Sequence, residues 1–116
     1  MKAISIIVAD WHTPKTEEGK ESPTRFKLRG LTGMEFLAVH EKAIERDGVY
    51  ILGTEAQKTA LKYGLVGWEN FYDKNTMVEF SRKPEDNLAR IPFDVIKDLT
   101  NKILDSTELS GDDEKK

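Results

Sequence analysis

The chain contains no cysteine, which excludes disulfides, thiolate metal sites and cysteine nucleophiles together. Only two histidines occur, His12 and His40. A zinc site would therefore need carboxylates for the rest of the three or four protein ligands it requires. Long apolar runs are missing as well. The longest, Ala3 to Ala9 and Val49 to Leu52, fall far short of a membrane-spanning helix. The first follows a single Lys2 and runs into Asp10, without the longer apolar core and small-residue cleavage site of a signal peptide. Residence in the cytoplasm, with no membrane partner, is the expectation. No glycine-rich phosphate loop is present, because Gly64 and Gly67 lack the lysine and helix start that would give them meaning. No serine stands in a nucleophile-elbow context.

What is present is a chain of 116 residues with 34% charged and 38% hydrophobic side chains, suited to one soluble domain with a single core. The net charge of −3 is concentrated at the C-terminus. Asp105, Glu108, Asp112, Asp113 and Glu114 face two lysines there, so this segment carries the whole excess. A neutral body with an acidic end offers no general field to attract nucleic acid. The expected organisation is one α+β domain over 1–109 and a disordered acidic tail over 110–116.

Ala3 to Ala9 is β-branched and apolar, which predicts a strand. Asp10 to Pro23, with two prolines and many charges, reads as a long exposed loop. Thr24 to Arg29 alternates, with Phe26 and Leu28 on one face and the basic stripe Arg25, Lys27 and Arg29 on the other. This predicts a half-buried strand antiparallel to the first. Thr32 and Glu35 fit a capping box opening a helix to about Arg46, stopped by Asp47-Gly48. On the helical wheel Phe36, Leu37, Val39, His40, Ala43 and Ile44 share its apolar face.

Val49 to Leu52 is either a strand or a buried turn. Thr54 and Gln57 suggest a second capping box, with a short helix ending at Tyr63 and Gly64 in the left-handed terminal position. Ala56, Ala60 and Tyr63 share a face of that helix, and its small residues allow another element to come close. Leu65 to Tyr72 is the densest aromatic stretch; Asp73 to Asn75 reads as a turn and Thr76 to Phe80 as a short strand. Arg82 to Arg90 reads as polar loop. Pro92 then sits in the first turn of an amphipathic helix, with Phe93, Val95, Ile96, Leu99, Ile103 and Leu104 on its apolar half. The expected fold is a small antiparallel sheet packed against two main amphipathic helices and one short helix. Phe26, Leu28, Leu37, Ile44, Ile96, Leu99 and Ile103 are its expected core.

Candidate sites are few. His40, on an apolar helix face, has no neighbouring motif to make it a base, and reads best as a partly buried histidine satisfied by a hydrogen bond. His12, two residues after Asp10, reads as a polar loop entry with Trp11 covering the core edge. Asp73 to Asn75 starts like a calcium loop, but the fifth, sixth and twelfth positions are Met77, Val78 and Pro84, none of which can serve. The basic stripe with Trp11, Trp68, Phe71 and Tyr72 could in principle hold single-stranded nucleic acid, yet a solvated strand face is the simpler reading. No catalytic, cofactor or metal residues are assigned, and no small-molecule substrate is indicated.

The run from Ala60 to Phe71 contains Gly64-Leu-Val-Gly-Trp-Glu-Asn-Phe71. It is followed by a turn, an apolar segment ending in Phe80, Asn87 to Pro92 with an amphipathic helix, and Ser106 to Ser110 with acids and lysines. This pattern resembles the small tail assembly chaperones of long-tailed bacteriophages. The likeness spans roughly residue 60 to the C-terminus and extends more loosely to Phe26 to Thr32. Gly111 stands where an acidic helical continuation would be expected. The resemblance implies a virus-encoded, non-enzymatic protein that coats the tape-measure protein, recruits tail-tube subunits in the host cytoplasm and is absent from the finished virion. Tyr63, Trp68, Phe71 and Tyr72 are the candidate protein-binding residues, with self-association an open possibility. Two alternatives stand beside this reading. One is a small regulatory or inhibitory protein directed at a host nucleic-acid enzyme or nucleic acid; the other is a structural connector of the virion.

Overall fold

The computed structural model describes Met1, Ala3 and residues 7–107. Ile4, Ser5 and Ile6 of the expected first strand lie outside the described residues, as does the expected tail over 110–116. The fold is α+β. In chain order come β1 (Asp10–His12), β2 (Arg25–Leu28), α1 (Gly33–Glu41), β3 (Ile44–Arg46) and β4 (Val49–Ile51). They are followed by α2 (Thr54–Gly64), β5 (Leu65–Glu69), β6 (Tyr72–Asp73), β7 (Thr76–Met77), α3 (Pro84–Leu88) and α4 (Phe93–Asp105).

Three strands form the main antiparallel sheet in the order β1-β2-β5. Among the described residues of the expected first strand, Ala3 and residues 7–9 are not in a strand, and the strand that pairs antiparallel with β2 is Asp10–His12, with Trp11 opposite Lys27. The expected loop after it is correspondingly more structured. It contains a 3-10 turn at Lys15–Glu17 and a buried Pro14. Alternation along β2 is as the sequence suggests, with Phe26 and Leu28 buried. A register shift lies between Lys27 and Leu28, opposite Gly67 and Leu65. The bulge keeps Leu65 and Trp68 on the inner side of β5 with Leu28 and Phe26.

The helices cover the inner face of this sheet. Central among them is α2, which packs on α1, α3, α4 and β5. Its buried residues are Ala56, Ala60, Leu61 and Gly64, so the expected small-residue face is the contact face. Gly64 is not in the left-handed conformation; it lies within the helix. A Cβ there would come within 2.6–2.8 Å of three side-chain carbons of Ile103, so close packing requires the glycine. The helix is capped by Gly53, with no side-chain hydrogen bond. Thr54 is already the first helical residue and cannot reach back to form the expected box.

Along α4, Val95, Leu99, Thr100 and Ile103 are buried, while Ile96 and Leu104 pack partly buried against the core. Phe93, expected on the apolar half, is 66% exposed, because the helix starts there beyond the edge of the core. Pro92 caps this helix rather than occupying its first turn, a shift of one residue. Segment 82–90, expected as loop, includes α3, with Pro84 at its start and Glu85 and Asp86 in its first turn. Both features favour a helix N-terminus.

The chain closes on itself at the end of α4. The Leu31 N–H donates to Thr107 Oγ1 at 3.0 Å, and that hydroxyl donates to the Ile103 carbonyl at 2.9 Å. A Cβ on Gly30 would run into the Ser106 carbonyl. Two substitutions on α4 separate burial from hydrophobicity. Leu99→Ala should cost about 2–5 kcal/mol in urea denaturation, since it opens a cavity in the core. Phe93→Ala should change stability by no more than about 0.5 kcal/mol. Equal effects at the two positions would contradict the packing described.

Candidate protein-binding surface

The capping box at Thr32 and Glu35 forms as expected, with the Glu35 N–H donating to Thr32 Oγ1 and the Thr32 N–H donating to Glu35 Oε1. The helix it opens is shorter than its apolar pattern suggests. It ends at Glu41, and Ala43 turns back with its N–H on the His40 carbonyl. Asp47-Gly48 is not the helix stop but the two-residue turn of the β3–β4 hairpin, with φ of 54° and 81°. Left-handed conformations at both central residues are the geometry of a type I′ hairpin turn, and Asp-Gly is among its preferred pairs.

The hairpin projects from the core. All six of its strand residues are exposed. Ile44 pairs with Ile51 and Arg46 with Val49, so these four side chains share one face, with Glu45 and Tyr50 on the other. Leu37 and Ile44, expected in the core, are 55% and 51% exposed. The reason is that Ile44 leaves the helix for the hairpin, and only Val39 of α1 is buried. Met34 and Leu37 lie on successive turns of α1 before His40 and are exposed too.

His40 ties the two elements together. Its ring lies 4.5 Å from that of Tyr50 and stacks at 6.5 Å on Phe36. It is exposed and held by aromatic contact, rather than partly buried and hydrogen-bonded. Met34, Leu37, Ile44, Val49, Tyr50 and Ile51 thus expose apolar surface on one helix and one hairpin, a pattern that marks interaction sites more often than solvated surface.

The aromatic residues singled out from sequence fall into two groups. Trp68 and Phe71 pack partly buried against the core, with ring centroids 4.9 Å apart and edge-to-face contacts from both to Phe26. The indole Nε1–H of Trp68 donates to the Val78 carbonyl at 2.7 Å, so its polar end is also engaged. Tyr63 is partly buried, with the Lys62 ammonium over its ring. Tyr72, on β6, is 52% exposed and alone of the four offers half its surface. The Asp73 to Asn75 turn is present, closing a short hairpin with Lys74 at φ 57°. The strand after it covers Thr76–Met77 and stops short of Phe80.

Intramolecular contacts engage the basic stripe. Arg25 is paired with Glu69. Arg29 makes two hydrogen bonds of 2.9 Å to the Glu35 carboxylate, and this guanidinium holds the Glu35 carboxyl below its usual range despite partial burial. Trp11 lies on the outer face of the sheet, not over the core edge. Arg25 and Lys27 approach its ring to 5.2 and 5.7 Å, because Trp11 is paired directly with Lys27. His12 reaches α4, with Nε2 2.9 Å from Asp98 Oδ1; the Lys15 N–H donates to Asp98 Oδ2 at 3.0 Å. Among the described residues no three histidine, cysteine, aspartate or glutamate side chains stand together as a metal would require. No helix among them is long and apolar enough to cross a membrane. No family model, curated protein or solved structure matches this chain.

Burial alone would raise the Asp98 carboxyl. The Lys15 N–H and the His12 ring outweigh it and hold the group below the usual aspartate value. The stabilisation is therefore present above the unfolded value, near pH 4, and lost as pH falls through the lower folded value. Asp98→Asn should be less stable than the parent at pH 7, and the gap should close as urea titrations are carried towards pH 2. A gap independent of pH would mean that the charge of Asp98 contributes nothing.

Proposed function

We propose that this chain is a non-enzymatic protein-binding module acting as a phage tail assembly chaperone. In this reading it engages the tape-measure protein in the host cytoplasm and recruits tail-tube subunits to it. The observation that carries the reading is the exposed apolar face of the β3–β4 hairpin, formed by Ile44, Val49 and Ile51, with Met34 and Leu37 exposed on α1. A chaperone that masks a long helical client needs apolar anchors, a rigid body to present them and a contact that can be released. The choice of client rests on the resemblance of the segment from Ala60 onward. The regulatory alternative depends on free cations along β2, and the pairing of Arg25 with Glu69 and of Arg29 with Glu35 favours it less.

The client-binding role moves in this reading from the Trp68–Phe71 pair to the hairpin, with Tyr72 as an accessory contact. Co-expression with tape-measure and tail-tube proteins, followed by affinity capture, tests it. Val49→Asp and Tyr50→Ala should each weaken capture by about 1–2 kcal/mol or more while the melting transition is retained. Trp68→Ala should lower stability first and capture only in consequence. Undiminished capture by folded hairpin variants would remove the hairpin from the binding surface. Failure of both clients to associate with the parent protein would end the chaperone reading.

A further inference from the structure

A recess lies away from the hairpin, at the other end of α2. The hairpin enters α2 at its N-terminus, whereas the recess is formed by Leu61, Lys62 and Leu65 at its C-terminal end and beginning of β5, together with Phe80 to Arg82 and α3. Its shape is fixed by one side chain. Asn87 is 4% exposed. Its Oδ1 accepts the Ser81 N–H at 2.7 Å, and its Nδ2 donates to the Ser81 carbonyl at 2.9 Å. This pair of bonds locks the Ser81 backbone and with it the residues on either side. Phe80 is further held edge-on against Trp68, with centroids 4.9 Å apart. A recess made in this way needs little ordering when it is filled.

Size and charge then limit what fills it. The cavity volume is about 120 Å³. A cavity of roughly 150 Å³ accepts benzene, whereas small-molecule sites run to roughly 300–1,000 Å³. One aliphatic side chain fits; a metabolite does not. Leu61, Leu65, Phe80 and Leu88 supply an apolar lining. The charged lining residues, Lys62 and Arg82, are both cations. Among the described residues neither is in an ion pair. Of the acids nearby in sequence, Asp86 accepts a hydrogen bond from the Ser81 hydroxyl at 3.3 Å, Glu85 is in the first turn of α3 and Glu79 precedes Phe80; none of the three lines the recess.

We propose that this recess binds a leucine-sized side chain from an acidic segment of a partner protein, with Lys62 and Arg82 holding the carboxylates that flank it. The site is independent of the hairpin and of the identity of the client proposed above.

The probe is a fluorescein-labelled pentapeptide with a central leucine between pairs of aspartates, titrated by fluorescence anisotropy into the full chain. Saturable binding with a dissociation constant near ~1 mM or tighter is expected. Replacing the central leucine by alanine should weaken it about tenfold. Arg82→Glu and Lys62→Glu, both checked for an unchanged melting transition, should each weaken it about fivefold. The Asn87 side-chain amide resonances should shift on binding. No saturable binding at peptide concentrations of about 10 mM would overturn the proposal. Equal binding of the leucine and alanine peptides, or of a peptide with serines for aspartates, would do the same. If Arg82→Glu instead dissociated a dimer of the parent protein in sedimentation, the occupant would be a second copy and the partner peptide would be excluded.

Discussion

The contact on which the molecule most depends is the approach of α4 to α2, where Ile103 lies against Gly64. Three of its carbons occupy the space a β-carbon would need. Ala56 and Ala60, both fully buried, continue the same small-residue face. A larger residue on this face would separate the helices, since a packed interior forfeits contact energy with even a fraction of an ångström of displacement. Everything attached to α4 inherits its position. Asp98 meets His12 and Lys15, fastening β1 and the turn after it. Thr107 meets Leu31, fastening the segment between β2 and α1. The sheet is thus held to the helices at its edge strand and at the exit of its central strand.

The same arrangement explains what is left uncovered. The core is filled by the inner sheet face, α2, α4, Leu31 and Ile91 from the connecting segments, and the single buried position of α1, Val39. The β3–β4 hairpin has no share in it. A two-stranded ribbon is marginal alone in water, and here the aromatic column of Phe36, His40 and Tyr50 connects it to α1. Its apolar side chains remain exposed after folding is complete. The outer face of the main sheet is different: Trp11, Arg25, Lys27 and Glu69 satisfy one another. A basic stripe that looks available in sequence is largely engaged in the fold.

Legibility in the sequence followed how local the deciding interaction was. The capping box, the alternation of β2 and the buried stripe of α4 depend on neighbours within a turn or two, and each could be read. The hairpin was missed although its signal was present. Asp47-Gly48 ends a helix as readily as it turns a hairpin, and Phe36, Val39, His40, Ala43 and Ile44 satisfy helical periodicity throughout. What decides between the two is the pairing of Ile44 with Ile51 across the turn. Trp68 and Phe71 were ambiguous for another reason. Asn70 at φ 57° breaks the alternation after β5, which lets both rings pack on Phe26 and leaves Tyr72 exposed. A left-handed asparagine is uncommon enough that the pattern alone does not announce it. The recess beside α3 had no sequence signal, because three separated segments and one buried amide define it.

Two kinds of surface therefore coexist on one rigid frame. The hairpin is apolar, joined to the body by rings, and able to adapt its side chains without disturbing the core. The recess is small, preorganised by Asn87 and bordered by cations. Apolar contact changes little with salt, while a cationic rim is screened within a Debye length of roughly 8–10 Å at physiological ionic strength. Binding at the recess is therefore expected to depend on ionic strength more steeply than binding at the hairpin. The small contact face of α2 makes that division possible: it buries enough of the helices to free one end of α2 for the hairpin and the other for the recess.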